Sequence, residues 1–434
     1  MSAQPLLRDT SDWVRHPLHE VAVQAGPRLL AHLDDGPGLS AHRERSGPLR
    51  LCSLGELSQA AHRSAVRGRG GAGFPFAVKL DAAASGGRRP VVVVNAAEGE
   101  PASAKDFTLL VRAPHRVLDG AVLSAHALRT RTVHVVTPAD RPAAGAAARV
   151  AVAERRRAGE RIQWRLHTAA PGFVRGQARA VVELMSGREG LPVTAWQPEA
   201  VSGVRGRPTL LANAETFAQV AALVRLGPAG YAALGTPGEP GTVLLTIATR
   251  RWRRVVEVPF GAPWLDLADG LADEADGLAC EDLDRPVLTG GYHGTWAAAG
   301  ALRTGTVSRV AMAERGLALG AGVVLFPGAR GCPVSLTERI VDYLAGESAR
   351  RCGPCRHGLP ALAAAFRAVC RGDDAGQDLA RVHRLGLMVE RRGACAHPDG
   401  TVRLVRSLLA ACSAEVAVHE AGGCALAGTG DGLW

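Results

Sequence analysis

Four consecutive valines, Val91–Val94, have no polar face to offer water. A β-branched run of this kind fits a strand buried on both faces, as strands of parallel sheets are. The run therefore predicts company: further strands, alternating with helices that cover the sheet. Pattern and breakers supply them, with a helix over 114–128, a strand over 132–136, a helix over 143–157 and a strand over 162–166. The alternation predicts an α/β layer. The valine run ends in Asn95-Ala-Ala-Glu98-Gly-Glu100-Pro101, followed by Lys105-Asp106. In open α/β sheets ligands sit beyond the carboxyl ends of strands, which makes Asn95, Glu98, Glu100 and Lys105 candidate binding residues. The plainer alternative is a polar strand-to-helix loop.

Upstream, residues 1–50 carry little pattern, and only 28–33 has helical promise. Ser53-Leu-Gly-Glu56 reads as a capping box, and Leu54, Leu57, Ala61 and Ala65 form a stripe at helical spacing up to Arg67. The loop that follows is Gly68-Arg69-Gly70-Gly71-Ala72-Gly73-Phe74-Pro75, then Phe76-Ala-Val-Lys79. Its glycines let backbone N–H groups converge on an anion, and Arg69 and Lys79 can add charge at either end. A helix precedes it where a dinucleotide fingerprint needs a strand, so the loop is either an anion site of another kind or a flexible turn. Pro171–Ala178, with Phe173 and Gly176, makes a second strand-end loop that opens a helix to Met185. Asn213 reads as the cap of a helix over 214–226. Gly235-Thr-Pro-Gly-Glu-Pro-Gly241 marks a domain boundary. Beyond it, strands over 243–248 and 255–258, a helix over 263–275 and Val287–Gly291 predict a small β-rich module.

Nine cysteines, an odd number and scattered, do not resemble a secreted disulfide framework. Three have cluster spacing. Cys352 and Cys355 flank Gly353-Pro354, a turn that can aim both sulfurs at one point, and Cys395 returns after roughly forty residues of helical pattern. An iron–sulfur site is the reading preferred over a zinc knuckle, a redox dithiol or a chance pair of buried thiols. Ser335-Leu-Thr-Glu338 reads as a capping box starting the helix that leads to this loop, and helices to 369, over 379–391 and over 401–412 complete a bundle around it. The expected domains are 1–235 (α/β), 241–330 (β-rich module and connection), 331–412 (cluster bundle) and a loose tail, 413–434.

The formal charge of +10 is spread along the chain with few aromatics, so no nucleic-acid reading surface is signalled, and an acidic protein partner fits as well. Only two of the 51 basic residues are lysines, Lys79 and Lys105, and both stand in the motifs above. With no run of eighteen apolar residues and no secretory signal pattern at Met1, a cytoplasmic protein without a transmembrane segment is expected.

These motifs, together with Pro208-Thr209 and Asn213-Ala-Glu215-Thr216, resemble the NADH-binding flavoprotein subunit of respiratory complex I and its relatives in hydrogenases and formate dehydrogenases. The resemblance covers roughly residues 50–412. It implies an FMN-binding α/β domain, a β-grasp module and a helical bundle carrying a [4Fe–4S] cluster. Carried over by motif position, Gly68, Arg69, Gly70, Gly71, Ala72, Gly73, Phe74, Lys79, Asn95, Glu98, Glu100, Phe173, Gly176 and Asn213 hold the cofactor, Glu100 is the catalytic residue, and Cys352, Cys355 and Cys395 ligate iron. The departures are specific. Ala349 stands where the family has the first cluster cysteine, Ala97 for Asp, Gln177-Ala178 for a Glu-Glu pair and Ala212 for Asn, and a Lys-Pro-Pro-Phe segment has no match over 191–198.

A three-thiolate site implies a [3Fe–4S] cluster, or a [4Fe–4S] cluster whose fourth iron takes solvent, His357 or a partner side chain. Cys332 and Cys370 are each separated from the loop by a helix, about 15 Å for ten residues, and are not expected to reach it. The expected function is electron transfer between FMN, reduced by NAD(P)H, and the cluster, to a ferredoxin-like protein or a membrane redox complex. The lost polar groups weaken FMN binding and, still more, NADH binding; each charged hydrogen bond is worth about 1.5–3 kcal/mol. The alternative is a divergent member that has lost flavin and NADH chemistry and keeps the cluster as a relay or interaction module.

Overall fold

The computed structural model describes residues 21–249, 252–272, 278–329, 331–373 and 376–424. Packing divides the chain into two units, Val21–Thr246 with Arg254–Ala262, and the described residues of Ile247–Arg253 with those from Pro263 onward.

The first unit is built on the valine strand. β2 (Val91–Asn95) pairs in parallel with β3 (Thr132–Pro138) on one side and β5 (Thr209–Asn213) on the other, and β3 pairs with β4 (Gln163–Ala169), giving the order β4-β3-β2-β5. All four valines are at most 3% exposed, a burial worth about 1.5–3 kcal/mol for each side chain. Val91 and Val93 pack with Val136, Leu211, Val181, Val182 and Met185, the last three from the helix Ala178–Met185. Elsewhere in the unit the helices Pro114–Ala127 and Ala214–Ala232 approach so closely that a Cβ on Gly120 would lie 1.9 Å from the Phe217 carbonyl oxygen. The second of these helices is broken at Gly227, whose φ of 68° is outside the helical range. The unit also contains β1 (Ala22–Val23) and Thr242–Thr246 of β6 (Thr242–Ala248), and β1 is parallel to β7 (Arg253–Pro259).

In the second unit β8 (Val287–Thr289) lies antiparallel to both β9 (Thr295–Ala297) and β10 (Val323–Leu325). Five α-helices follow among the described residues, Pro333–Gly346, Leu359–Arg371, Gln377–Val389, His397–Ala411 and Ser413–Glu420, with a π-helical turn at Pro354–Gly358 between the first two. Among the described residues no helix is long and apolar enough to cross a membrane.

Several local expectations need correction. Residues 28–32 form bends and turns that lead into a short 3-10 helix, Leu33–Asp35, and the α-helix lies at Leu39–Ser46. The helix expected from Ser335 begins at Pro333. Its cap is Cys332, whose Sγ accepts from the Ser335 amide, because proline suits a first helical turn where its missing N–H is not needed. The helix expected over 263–275 is observed only as Trp264–Asp269, and its last three residues lie outside the described ones. The tail expected to be loose from 413 starts with the helix Ser413–Glu420, which buries Val416 and His419; residues 425–434 lie outside the described ones.

Candidate functional site

β2, β3 and β4 run outward in chain order, whereas β5 returns to the other side of β2, so the strand order reverses between β2 and β5. Ligands of open α/β sheets bind in the crevice at such a reversal. Asn95 and Asn213, the last residues of the two strands, are register partners across it. Gly70 of the glycine-rich loop reaches the same place, since a Cβ on it would stand 3.8 Å from the Asn213 side chain.

The loop is closed at its base. Arg67 and Pro75 form an antiparallel bridge, and Gly68 N donates to Phe74 O at 2.8 Å. Gly71 (φ 106°) and Gly73 (φ 62°) take backbone conformations that side chains disfavour. Among the described residues, the amides of Gly70, Gly71, Ala72 and Gly73 carry no intramolecular hydrogen bond. A short array of unengaged N–H donors beside a strand-order reversal fits a phosphate group.

The side chains around this backbone are mostly engaged with one another. Arg69 turns inward: its guanidinium donates to Thr242 O (3.0 Å), lies 3.7 Å from Glu215 and sits over the Phe260 ring, so it supplies no charge to the loop's open side. Lys79 is paired with Glu199 at 2.8 Å. Both Glu98 oxygens are taken, by Ser103 Oγ and Asp106 N on one and by Phe107 N and Arg141 on the other, at 2.5–3.3 Å. Glu98 thus clamps the N-terminus of the helix Lys105–Arg112, where a carboxylate is favoured. Glu100 accepts from Ala102 N at 3.3 Å. Asn95 donates to Gly176 O (2.8 Å), and Asn213 caps its helix while donating to both Asp106 oxygens at 3.0 Å.

Gly99 and Gly176 hold the two strand-end loops together. A Cβ on Gly99 would come within 2.4 Å of Phe173 O, and one on Gly176 within 2.3 Å of Ala97 O. Phe173 itself is 8% exposed, and Phe74 is 47% exposed. Ala97 and Ala212, which the resemblance puts at an Asp and an Asn position, are both buried.

Beneath the crevice lies a charge cluster that joins Lys105, a binding candidate in the sequence, to Asp106 and Glu215, a grouping the motifs did not reveal. Lys105 Nζ is 3.0 Å from Glu215 and 3.1 Å from Asp106, with all three side chains at most 6% exposed. Burial lowers the Lys105 pKa less than Asp106, Glu215 and Glu98 raise it, so the ammonium stays charged. Burial pushes Asp106 up to about 6 against the pull of Lys105. Glu215 also accepts from Leu244 N at 2.9 Å. The available signal was an acidic residue in the first turn of an otherwise apolar helix face; its partner lies 110 residues away in sequence. Arg141 and Glu199 were missed for the same reason.

In the second unit the structure brings the three cluster thiols together. The Cys355 thiol, 2% exposed, is hydrogen-bonded with Cys352 and close enough to Cys395 to feel its charge; burial first, then these neighbours, push it up to about 12. Arg356 N donates to Cys352 O (3.0 Å) and Ser348 Oγ to Cys355 O (3.3 Å), which fixes the turn. Two thiols in contact, with a third close enough to act on one of them, fit an iron–sulfur cluster with three protein ligands, and Ala349 has none to add. Cys332 stands at the other end of the fourteen-residue helix Pro333–Gly346, about 21 Å long, as the sequence implied.

Comparison with known proteins finds relatives of both parts of the chain. Residues 61–222 match the Nuo51 FMN-binding domain, and residues 335–419 the iron–sulfur binding region of NADH-ubiquinone oxidoreductase-F. The chain is 28% identical over 414 residues to the F 2 polypeptide of the NADH-quinone oxidoreductase of Rhizobium meliloti (strain 1021), spanning 93% of this chain and 96% of that protein. It is 29% identical over 357 residues to the HndC polypeptide of the NADP-reducing hydrogenase of Solidesulfovibrio fructosivorans, spanning 78% and 71%. The solved NAD+-reducing [NiFe]-hydrogenase in its H2-reduced state superposes with a TM-score of 0.79 at 26% identity, over 92% of this chain and 67% of that one. The chain is a divergent member of the family of FMN-binding, iron–sulfur flavoprotein subunits shared by NADH-quinone oxidoreductases and related hydrogenases.

Proposed function

We propose that this chain passes electrons between FMN and an iron–sulfur cluster as a subunit of a larger redox assembly. The observation that carries the reading is the row of unengaged amides at Gly70–Gly73, set at the strand-order reversal with Asn95 and Asn213. Bound there, FMN would supply the exchange between two-electron hydride donors and one-electron carriers. Gly70–Gly73 would hold its phosphate, Asn95, Phe173 and Gly176 would line its site, and Glu100 is the acidic residue proposed to act beside the reacting ring. Cys352, Cys355 and Cys395 would hold the cluster. The physiological partner is proposed to be a ferredoxin-like or similar electron-transfer protein, and the location cytoplasmic. A second reading, a cluster relay without flavin, is favoured by one specific feature: Arg69 and Lys79, the cations beside the loop, are already paired with Glu215 and Glu199.

Protein purified without oxygen decides between them. Flavin bands with about one FMN per chain support the first reading, and a cluster shoulder alone supports the second. Absence of flavin, iron and sulfide would overturn both. The cluster makes its own prediction: the parent, with three thiolates, gives a [3Fe–4S] electron paramagnetic resonance signal on oxidation, and Ala349→Cys suppresses it by holding the fourth iron.

A further inference from the structure

A second set of metal-binding side chains converges far from the cluster thiols, at the start of the helix Pro333–Gly346. Sγ of Cys332 lies 3.2 Å from Nε2 of His419 and 3.7 Å from Oε1 of Glu415. The same Glu415 oxygen is 3.4 Å from His419 Nε2 and 3.7 Å from Sγ of Cys424. The four donor atoms all lie within 4.8 Å of one another.

Separate pieces of the chain deliver them. Cys332 is the cap of its helix. Glu415 and His419 are four residues apart on the helix Ser413–Glu420 and so share one face. Cys424 is returned by a turn through Gly422 (φ 78°), whose amide donates to His419 O at 2.9 Å. The end of the helix Leu359–Arg371 closes on that turn, where a Cβ on Gly372 would sit 2.6 Å from Gly422 N.

The imidazole is oriented as a metal ligand is. Its Nδ1 lies 3.0 Å from the carbonyl oxygen of Cys370, which can only accept, so Nδ1 carries the proton. In the neutral ring Nε2 then presents a lone pair to the cluster of donors, and a backbone carbonyl behind the ring is the usual support of a ligating histidine. Nε2 and the Glu415 carboxylate are two acceptors 3.4 Å apart, an arrangement that calls for a proton or a cation between them. Two thiols complete a donor set of two sulfurs, one nitrogen and one oxygen. Bonds of about 2.0–2.3 Å to a tetrahedral ion place its donors about 3.3–3.8 Å apart, close to the spacing here. Soft thiolates with an imidazole select zinc over magnesium or calcium.

We infer that Cys332, Glu415, His419 and Cys424 form a four-coordinate zinc site that fastens the helix leading to the cluster loop to the last described helix. With four protein donors the site is closed, so the ion is structural and holds no water for catalysis. Loading releases the thiol protons as the thiolates bind.

Metal analysis of the full chain after dialysis against EDTA tests this. About one zinc per chain is expected in the parent. His419→Ala and Cys332→Ser should lower it to less than about a tenth while iron is unchanged, and Cys352→Ser should do the reverse. Should those variants fail to fold, Co2+ added to the parent after zinc removal decides: one equivalent should bring up thiolate-to-cobalt charge-transfer and tetrahedral d–d bands. Zinc retained in both variants, or a parent without zinc that gives no cobalt bands, overturns the site. So does a Cys332–Cys424 disulfide in protein purified under reducing conditions.

Discussion

Replacing Lys105 by methionine would leave two buried carboxylates facing each other without their cation. Nζ lies 3.0 Å from Glu215 and 3.1 Å from Asp106, and the Lys105 and Glu215 side chains are 3% and 0% exposed. At an effective dielectric of about 20, each contact carries a Coulomb attraction of about 5 kcal/mol, much of which only offsets desolvation. Removing one partner of such a buried set lowers stability by about 3–5 kcal/mol, a large share of the about 5–15 kcal/mol available to a domain. The pH dependence distinguishes this cause from lost packing. Without the ammonium the folded-state pKa of Asp106 rises further above its unfolded value, so the folded state binds protons that the unfolded chain does not. The variant should therefore regain stability relative to the parent as pH falls from about 7.5 towards 5. Urea unfolding followed by circular dichroism at both pH values measures it, and adding Glu215→Gln should recover part of the loss. A loss under about 1 kcal/mol, or a deficit independent of pH, would refute the argument.

Two further outcomes follow from the same unit. Gly176→Ala places a Cβ 2.3 Å from Ala97 O and 2.8 Å from Gly99 N, backbone atoms that cannot step aside alone; stability should fall by about 1–3 kcal/mol and FMN affinity at least about tenfold, whereas Gly55→Ala, with open space around it in the helix Leu54–Arg63, should lower neither. Equal FMN affinities in the two variants would separate these loops from the binding site. His115 and His134 are both depressed to about 4, chiefly by burial, with Arg155 and His167 adding to it. The unfolded chain then takes up protons first: their contribution is whole above about pH 6.5 and is lost as pH falls towards 4, at up to about 1.4 kcal/mol per pH unit for each. A urea midpoint that His115→Gln leaves equally sensitive to pH between 7 and 5 would contradict this.

Features set by neighbours in sequence were readable. The valine strand, the Ser53–Glu56 capping box and the Asn213 cap each rest on residues within a few positions, and each is present. The contact of Cys352 with Cys355 was readable because the two stand three apart on one turn. What sequence concealed was the direction of long side chains. Arg69 was expected to face an anion, but Glu215 and Thr242, some 150 residues on, offer it a buried carboxylate and a carbonyl. The cap at Cys332 was hidden differently, since a thiol rarely caps a helix and Ser335 offered a more familiar box nearby.

Glu98 acts beyond the helix that it clamps. Four donors, three from Ser103–Phe107 and one from Arg141, meet on one carboxylate, so the segment from Glu98 to Phe107 is held in place by the protein itself. A ligand arriving there meets a surface already shaped. The ordering of loops and side chains that usually opposes association, about 0.5–1.5 kcal/mol for each immobilised side chain, has been spent during folding. Affinity can then survive the loss of several direct polar contacts, because little entropy is left to surrender when the complex forms.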